Sequence, residues 1–301
     1  MCATVESLGE RRELEDWHGR RAQLYVGDLV VGAYGNRYAT DFYEGYVPSG
    51  PRTHLLTSGG VIGTVVSSHV RCAEPTGLCV IGALADGEGL PLALADLARP
   101  VPPVADPCPT TVVVVGSSMN AGKTTTAAGI IRGWAGAGLR VGAGKVTGSG
   151  SGKDRWAYRD AGALCIVDFL DFGMPSTFGY PAEHLISTMY HIRDALVADG
   201  ATYVVIEIAD GLLQAQTHQM LAALPAFADA VVLAVSDALS AVGAQLVLAS
   251  AGVSVSALSG LLSASPLAAQ EAGQATSLRV LTPEELASGA ALTLVAAGSC
   301  A

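Results

Sequence analysis

Thr111–Thr126 reads TVVVVGSSMNAGKTTT, and the order of its parts decides the fold. Four consecutive valines, Val112–Val115, suit a strand buried on both faces, as in the interior of a parallel sheet. The run breaks at Gly116, crosses a short polar loop and reaches Gly122-Lys123-Thr124, where a helix is expected to begin. Strand, glycine-bounded loop and a helix opening on Gly-Lys-Thr together make a phosphate-binding loop. Glycine lets the backbone turn its N–H groups toward a phosphate, and the helix N-terminus adds the positive end of its dipole. The expected nucleotide-binding set is therefore Gly116, Ser117, Asn120, Ala121, Gly122, Lys123, Thr124 and Thr125. Lys123 would reach the β- and γ-phosphates, and the Thr124 hydroxyl would ligate Mg²⁺. The expected cofactors are ATP or another nucleoside triphosphate, with Mg²⁺.

Beyond this stretch the chain alternates strand and helix, the pattern of a parallel sheet covered by helices. Strands are expected near 111–116, 140–146, 164–168, 202–208, 230–235, 254–259 and 278–281. Helices are expected near 122–136, 154–162, 182–198, 213–223, 238–250, 266–273 and 283–288. Ser236-Asp237 and Thr282-Pro283-Glu284-Glu285 have the composition of helix starts. Before the loop the texture is different. From Leu24 to Leu97, short β-rich runs are separated by Gly, Pro and Asn turns, which fits a small barrel or sandwich-like domain. Residues 1–20 read as a solvated helix or loosely held arm, and His54 and His69 as structural histidines. The aromatic-rich Tyr34–Tyr46 stretch fits either core packing or a recognition loop. ARPVPPVADPCPT, 98–110, carries five prolines and reads as a semi-rigid linker. The expected organisation is a β-rich, barrel-like domain over 1–103, serving substrate recognition or dimerisation, followed by an α/β P-loop domain over 104–301.

Composition narrows the partners. The 301-residue chain is half hydrophobic, 15% charged and carries a net charge of −10, without any Lys/Arg-rich run, which argues against nucleic acid. The opening MCATVESLGERRELEDWHGRR lacks the apolar run of a secretory signal. Ala238–Leu262 has no charge, but Gln245, Gly252 and several serines divide it into a helix and a strand rather than a membrane span. Six cysteines without a CxxC pair suggest reduced thiols of a cytoplasmic protein.

Two further segments carry chemistry. Lys145 ends the second strand and is aimed, by the rule that ligands sit at the carboxyl ends of strands, at the same crevice as Lys123. Thr147 and Ser149 follow it. Glu207 stands inside the hydrophobic run Tyr203-Val-Val-Ile-Glu-Ile, where a carboxylate is costly unless paired or bound to metal. Asp210 lies just beyond. Ser176 and Thr177, in a Gly- and Ser-rich loop past the third strand, are candidates for hydrogen bonding an acceptor substrate. The Asp171-Phe172-Gly173 in that loop stands alone among kinase signatures and is coincidental.

The loop has five residues between Gly116 and Gly122, one more than the common form. With Lys145-Val-Thr-Gly-Ser-Gly and Val205-Ile-Glu207, this resembles the dethiobiotin synthetase-like group of P-loop enzymes. The resemblance covers the C-terminal two-thirds of the chain and rests on these three motifs. It implies that Lys123 and Lys145 act on the transferred phosphoryl group. It also implies that Thr124, Glu207 and Asp154, with Asp160 behind it, are the metal ligands, and that the protein is a homodimer. The chain departs from the pattern at Asp210-Gly211, at the missing proline after Lys145, and in having the N-terminal domain at all. Ser118 stands where partitioning ATPases carry a signature lysine, and no N-K-x-D guanine motif is present. The function expected is ATP- and Mg²⁺-dependent phosphoryl transfer to a small-molecule acceptor, as a kinase or a ligase. The alternative is a nucleotide-hydrolysing switch or metallochaperone-like NTPase acting on a protein partner.

Overall fold

The computed structural model describes residues 1–100 and 108–295, so most of the proline-rich segment and Cys300 lie outside the described residues. The chain divides into two compact units. The first comprises Met1–Arg99 with Gly148–Lys153 and Phe169–Gly179; the second comprises Pro100–Thr147, Asp154–Asp168 and Tyr180–Ala301.

The first unit is a β structure, antiparallel except at one pairing. Its strands are β1 (Cys2–Ser7), β2 (Glu13–Glu15), β3 (Arg21–Gln23), β4 (Leu29–Val31), β5 (Ala33–Tyr34), β6 (Arg37–Tyr38), β7 (Tyr43–Tyr46), β8 (Arg52–Leu55), β9 (Val61–Ser68) and β10 (Gly77–Gly82). The main sheet runs β4-β1-β10-β8-β9-β7-β6, with β5 pairing in parallel with β9. Because only Gly32 separates β4 from β5, one stretch of chain joins β1 on one side and β9 on the other, and the ladder closes in barrel fashion. Its interior is filled by Ala3, Val5, Leu24, Val30, Leu55, Ile62 and Leu78.

Residues 2–7 are thus a central strand of this unit and not the expected solvated arm. Ala3 and Val5 alternate inward, and their burial comes from pairing with β10 and β4, which are distant in sequence. In the aromatic stretch Tyr43 is fully buried and donates its hydroxyl to Ala73 O at 2.9 Å, Arg11 stacks over Phe42 at 3.8 Å, and Tyr46 is exposed. His54 Nδ1 accepts from Val65 N–H at 3.1 Å and His69 Nδ1 from Arg71 N–H at 3.2 Å, both structural uses. Within this unit Gly150 O accepts from Thr57 Oγ1 at 3.0 Å, and Gly152 N–H donates to Glu15 Oε2 at 2.7 Å. These bonds tie Gly148–Lys153 to the barrel strands and their turns.

The second unit is a six-stranded parallel sheet in the order β13-β12-β14-β11-β15-β16. Its strands are β11 (Thr110–Gly116), β12 (Val141–Lys145), β13 (Cys165–Asp168), β14 (Tyr203–Glu207), β15 (Ala230–Ala234) and β16 (Ala257–Ser259). The helices are α1 (Lys123–Gly136), α2 (Lys153–Ala161), α3 (Ala182–Ala198), α4 (Ala215–Met220), α5 (Leu224–Phe227), α6 (Ala238–Ser250), α7 (Pro266–Thr276) and α8 (Pro283–Ala287). β11 is central, and Val112–Val115 are completely buried, as a continuous valine run requires. One core cluster joins Val112, Val114, Ile130, Ile131, Trp134, Tyr158 and Leu286.

Two expected elements differ. Residues 278–281 form only an isolated bridge, Leu258–Val280, because Thr282 immediately caps α8 and stops further extension. The helix expected over 213–223 is broken into α4, a 3₁₀ turn and α5, the last beginning around Pro225, which lacks the N–H that a continuous helix would use. Ala238–Leu262 resolves into α6 and β16, and among the described residues no helix is long and apolar enough to cross a membrane. Among the described residues Cys2, Cys72, Cys79 and Cys165 are free thiols.

Candidate nucleotide and phosphoryl site

The loop after β11 is held from three directions. Ser117 N–H donates to Ala234 O at 3.0 Å, Leu261 N–H to Ala121 O at 3.0 Å, and Leu212 N–H to Gly116 O at 3.2 Å. Gly122 takes a left-handed φ of 99° as the N-cap of α1, a conformation glycine adopts without strain, and no side chain caps the helix. The first-turn amides of α1 thus keep the unsatisfied donors that an anion would use. Asn120 is also left-handed, with φ of 60°.

Lys123 folds back over this loop. A Cβ on Gly116 would come 2.7 Å from Lys123 Cγ, so the lysine stem lies against the glycine. Its ammonium donates to Ser118 O at 2.8 Å and is almost fully buried. Burial pulls its pKa below the ordinary lysine value, with Glu207 and Asp210 acting against that shift.

Strand register assembles the rest. In the parallel ladders Lys145 pairs with Glu207, and Glu207 with Val114, so both groups stand at the carboxyl edge beside the phosphate loop. Lys145 Nζ is 3.6 Å from Glu207 Oε1 and is ion-paired and hydrogen-bonded to Asp154. Burial opposes its charge, but Glu207 and Asp154 outweigh burial and raise its pKa well above the ordinary value. Asp154, in the first turn of α2, accepts from Thr124 Oγ1 at 3.2 Å. Of the two acidic candidates in α2, it is Asp154 rather than Asp160 that reaches Thr124 and Lys145.

Tyr158, which the sequence reading missed, donates its hydroxyl to Glu207 Oε2. Burial, then the neighbouring Glu207, pushes its phenol pKa far up, which keeps it a donor. A signal was available: Asp154 and Tyr158 are four apart, on one face of a helix.

The other anticipated residues are placed as follows. Thr147 donates its hydroxyl to Ala209 O, and Asp210 adds its charge near both lysines. Thr125 is exposed on α1. Ser149, Ser176 and Thr177 belong to the first unit, not to the one holding the lysines. There, Thr177 Oγ1 accepts from Gly148 N–H at 2.8 Å, and the Ser149 and Ser176 hydroxyls lie 3.5 Å apart.

Among the described residues no group of three or more His, Cys, Asp or Glu could hold a metal ion. Thr124 and two carboxylates fit Mg²⁺ instead, which commonly takes one or two carboxylates and completes its shell with phosphate oxygens and water.

A β-strand, a glycine-bounded loop and a helix opening on Gly-Lys-Thr, set on a parallel sheet flanked by helices, define a P-loop nucleotide-binding fold. No protein-family model matches the chain, and no curated protein matches it. Similar solved structures include the signal recognition particle 54 kDa protein of Aeropyrum pernix K1 in complex with GDP, at 20% identity over 62% of this chain and 44% of that one, with a TM-score of 0.45. The signal recognition particle receptor FtsY of Elizabethkingia anophelis is 18% identical over 66% of this chain and 58% of its own, with a TM-score of 0.34. Chloroplast FtsY of Physcomitrella patens is 16% identical over 66% and 70%, with a TM-score of 0.40. The chain spans about half the length of the first two. Likeness at this level carries no inference about activity.

Proposed function

We propose that this protein transfers the γ-phosphoryl group of a nucleoside triphosphate, with Mg²⁺, to a small-molecule acceptor, in the manner of the dethiobiotin synthetase-like enzymes. The observation that carries this reading is the second lysine. Lys145 is half-buried, charged and set by strand register in the same cluster as Thr124, Asp154 and Glu207. A fixed cation there would stabilise the charge that spreads over the phosphoryl oxygens during transfer.

In this reading the α1 amides and Lys123 hold the β- and γ-phosphates. An oxygen of the acceptor bonds to the γ-phosphorus as the bond to the β,γ-bridging oxygen breaks, and the diphosphate leaves with that electron pair. A carboxylate or carbamate acceptor needs no proton removed, which suits a site where the carboxylates are already committed to Lys145 and Tyr158. Thr124, Asp154 and Glu207 are the residues that would hold Mg²⁺, and the ion would neutralise phosphate charge. Thr147 and Asp210 are the acceptor-side candidates in this unit. ATP is proposed as the nucleotide because no guanine motif is present. A homodimer is proposed from the same resemblance.

The test is nucleoside diphosphate release from Mg-ATP or Mg-GTP, with pools of small carboxylates, amines and alcohols, and Lys123→Ala as the blank. Stimulation by one pool, absent in the variant, is expected. A slow rate indifferent to every pool would remove the transferase reading and direct attention to a nucleotide-hydrolysing switch with a protein partner.

A further inference from the structure

The two carboxylate oxygens of Glu207 have different neighbours. Oε1 faces Lys145 Nζ at 3.6 Å, and Oε2 accepts from the Tyr158 hydroxyl. Tyr158 is as buried as the sheet core its ring packs in. One turn earlier on the same helix, Asp154 contacts Thr124 and Lys145. One face of α2 therefore touches every residue assigned above to the cation. A phenylalanine would fill the same core volume without the cost of burying a hydroxyl, so the oxygen, not the ring, is what needs a role.

We propose that Tyr158 is a positioning residue for the cation–nucleotide complex. By holding Glu207 Oε2, it fixes the orientation in which the carboxylate offers Oε1, beside Lys145, to a divalent ion. This rests on the Mg²⁺-nucleotide reading above. Without the hydroxyl, the carboxylate is free to turn, and the ion loses a pre-oriented ligand. The phosphate contacts of the α1 amides and Lys123 do not involve Tyr158, so metal-free nucleotide binding should be spared.

The experiment uses the full chain as wild type and as Tyr158→Phe, with Mn²⁺ as the probe. Free Mn²⁺ is titrated by electron paramagnetic resonance with a non-hydrolysable ATP analogue present, and analogue binding is measured separately in EDTA. The expected result is Mn²⁺ affinity weakened roughly tenfold, the scale seen when a group orienting a metal ligand is lost, with the EDTA affinity unchanged. Wild-type Mn²⁺ affinity in the variant would overturn the proposal, as would equal losses in both titrations, which mark a merely structural role. Wild-type protein that binds the analogue equally with and without Mn²⁺ would overturn this inference and the reading beneath it together. Glu207→Gln keeps an acceptor for the phenol and serves as the second arm if Tyr158→Phe does not fold. Its Mn²⁺ affinity should also fall, and an unchanged value would leave Tyr158 no ligand to position and sink the proposal.

Discussion

Lys145 and Glu207 stand opposite one another across two parallel strands at the edge of the sheet, with Nζ 3.6 Å from Oε1, the lysine half-buried and the carboxylate buried. Glu207 is only 2% exposed, so the lysine is its compensation as well as a candidate phosphoryl ligand. Removing one partner of a buried pair leaves the other uncompensated. Lys145→Met is therefore expected to cost about 3–5 kcal/mol in urea unfolding, and adding Glu207→Gln should restore part of it. Because the folded pKa of Lys145 is raised, its contribution is fully present below the ordinary lysine pKa and is lost only as pH rises through the higher folded value. The cost of Lys145→Met should accordingly be constant between about pH 7 and 9, a range that ends roughly 1.4 units below the lysine value.

Lys123 presents the opposite case. Burial depresses its pKa, and its ammonium donates to a loop carbonyl. Lys123→Met removes a buried charge, so the nucleotide-free variant should melt at or above the wild-type temperature. The rise in melting temperature caused by Mg-nucleotide should disappear, and turnover should fall at least about 10²–10³-fold. A variant that still gains stability from nucleotide would remove Lys123 from the phosphate site.

Gly211 lies against the phosphate loop. A Cβ there would meet Ser118 Cα at 2.8 Å and Ser117 O at 2.9 Å, both backbone atoms that cannot swing aside. Gly211→Ala should weaken nucleotide binding by about tenfold and cost about 1–3 kcal/mol of stability, the usual range for overpacking. Gly136→Ala is the control, since nothing lies within 4 Å of a Cβ at the end of α1. It should leave nucleotide affinity unchanged and raise stability by about 0.5 kcal/mol.

His54 gives the first unit a pH dependence. Burial lowers its pKa, and Nδ1 must be unprotonated to accept from Val65 N–H. With the folded pKa depressed, its contribution is present above the ordinary histidine value and lost as pH falls through the folded one. The wild-type melting temperature should drop more steeply between pH 7.5 and 5, about one unit either side of that value, than that of His54→Asn. Parallel curves would remove His54 as the cause.

The nucleotide loop was legible because its logic is local. Val112–Val115, Gly116 and Gly122-Lys123-Thr124 announce strand, turn and helix within one short stretch, and α3 and α6 begin and end where periodicity and capping place them. Strand β1 was illegible for the opposite reason. Cys2–Ser7 carries only two inward apolar residues, Ala3 and Val5, and its partners lie near residues 30 and 80.

For the site, Lys145 and Glu207 were readable as charged groups in places where charge needs a reason, and Asp154 as an acidic residue in a suitable segment. That one oxygen of Glu207 belongs to Tyr158 was not readable, because it depends on how α2 lies on the sheet. Ser176 and Thr177 read as substrate contacts; that they group with Gly148 and Ser149 in the first unit is something no local pattern announces.

The sequence by itself thus determined a phosphate-binding loop on a parallel sheet and the residue types that surround it, since backbone conformation and burial period are written in neighbouring residues. Only the tertiary structure decided which charges meet. Strand register and the seating of α2 are set by packing summed over the whole core, and those contacts join residues far apart in the chain.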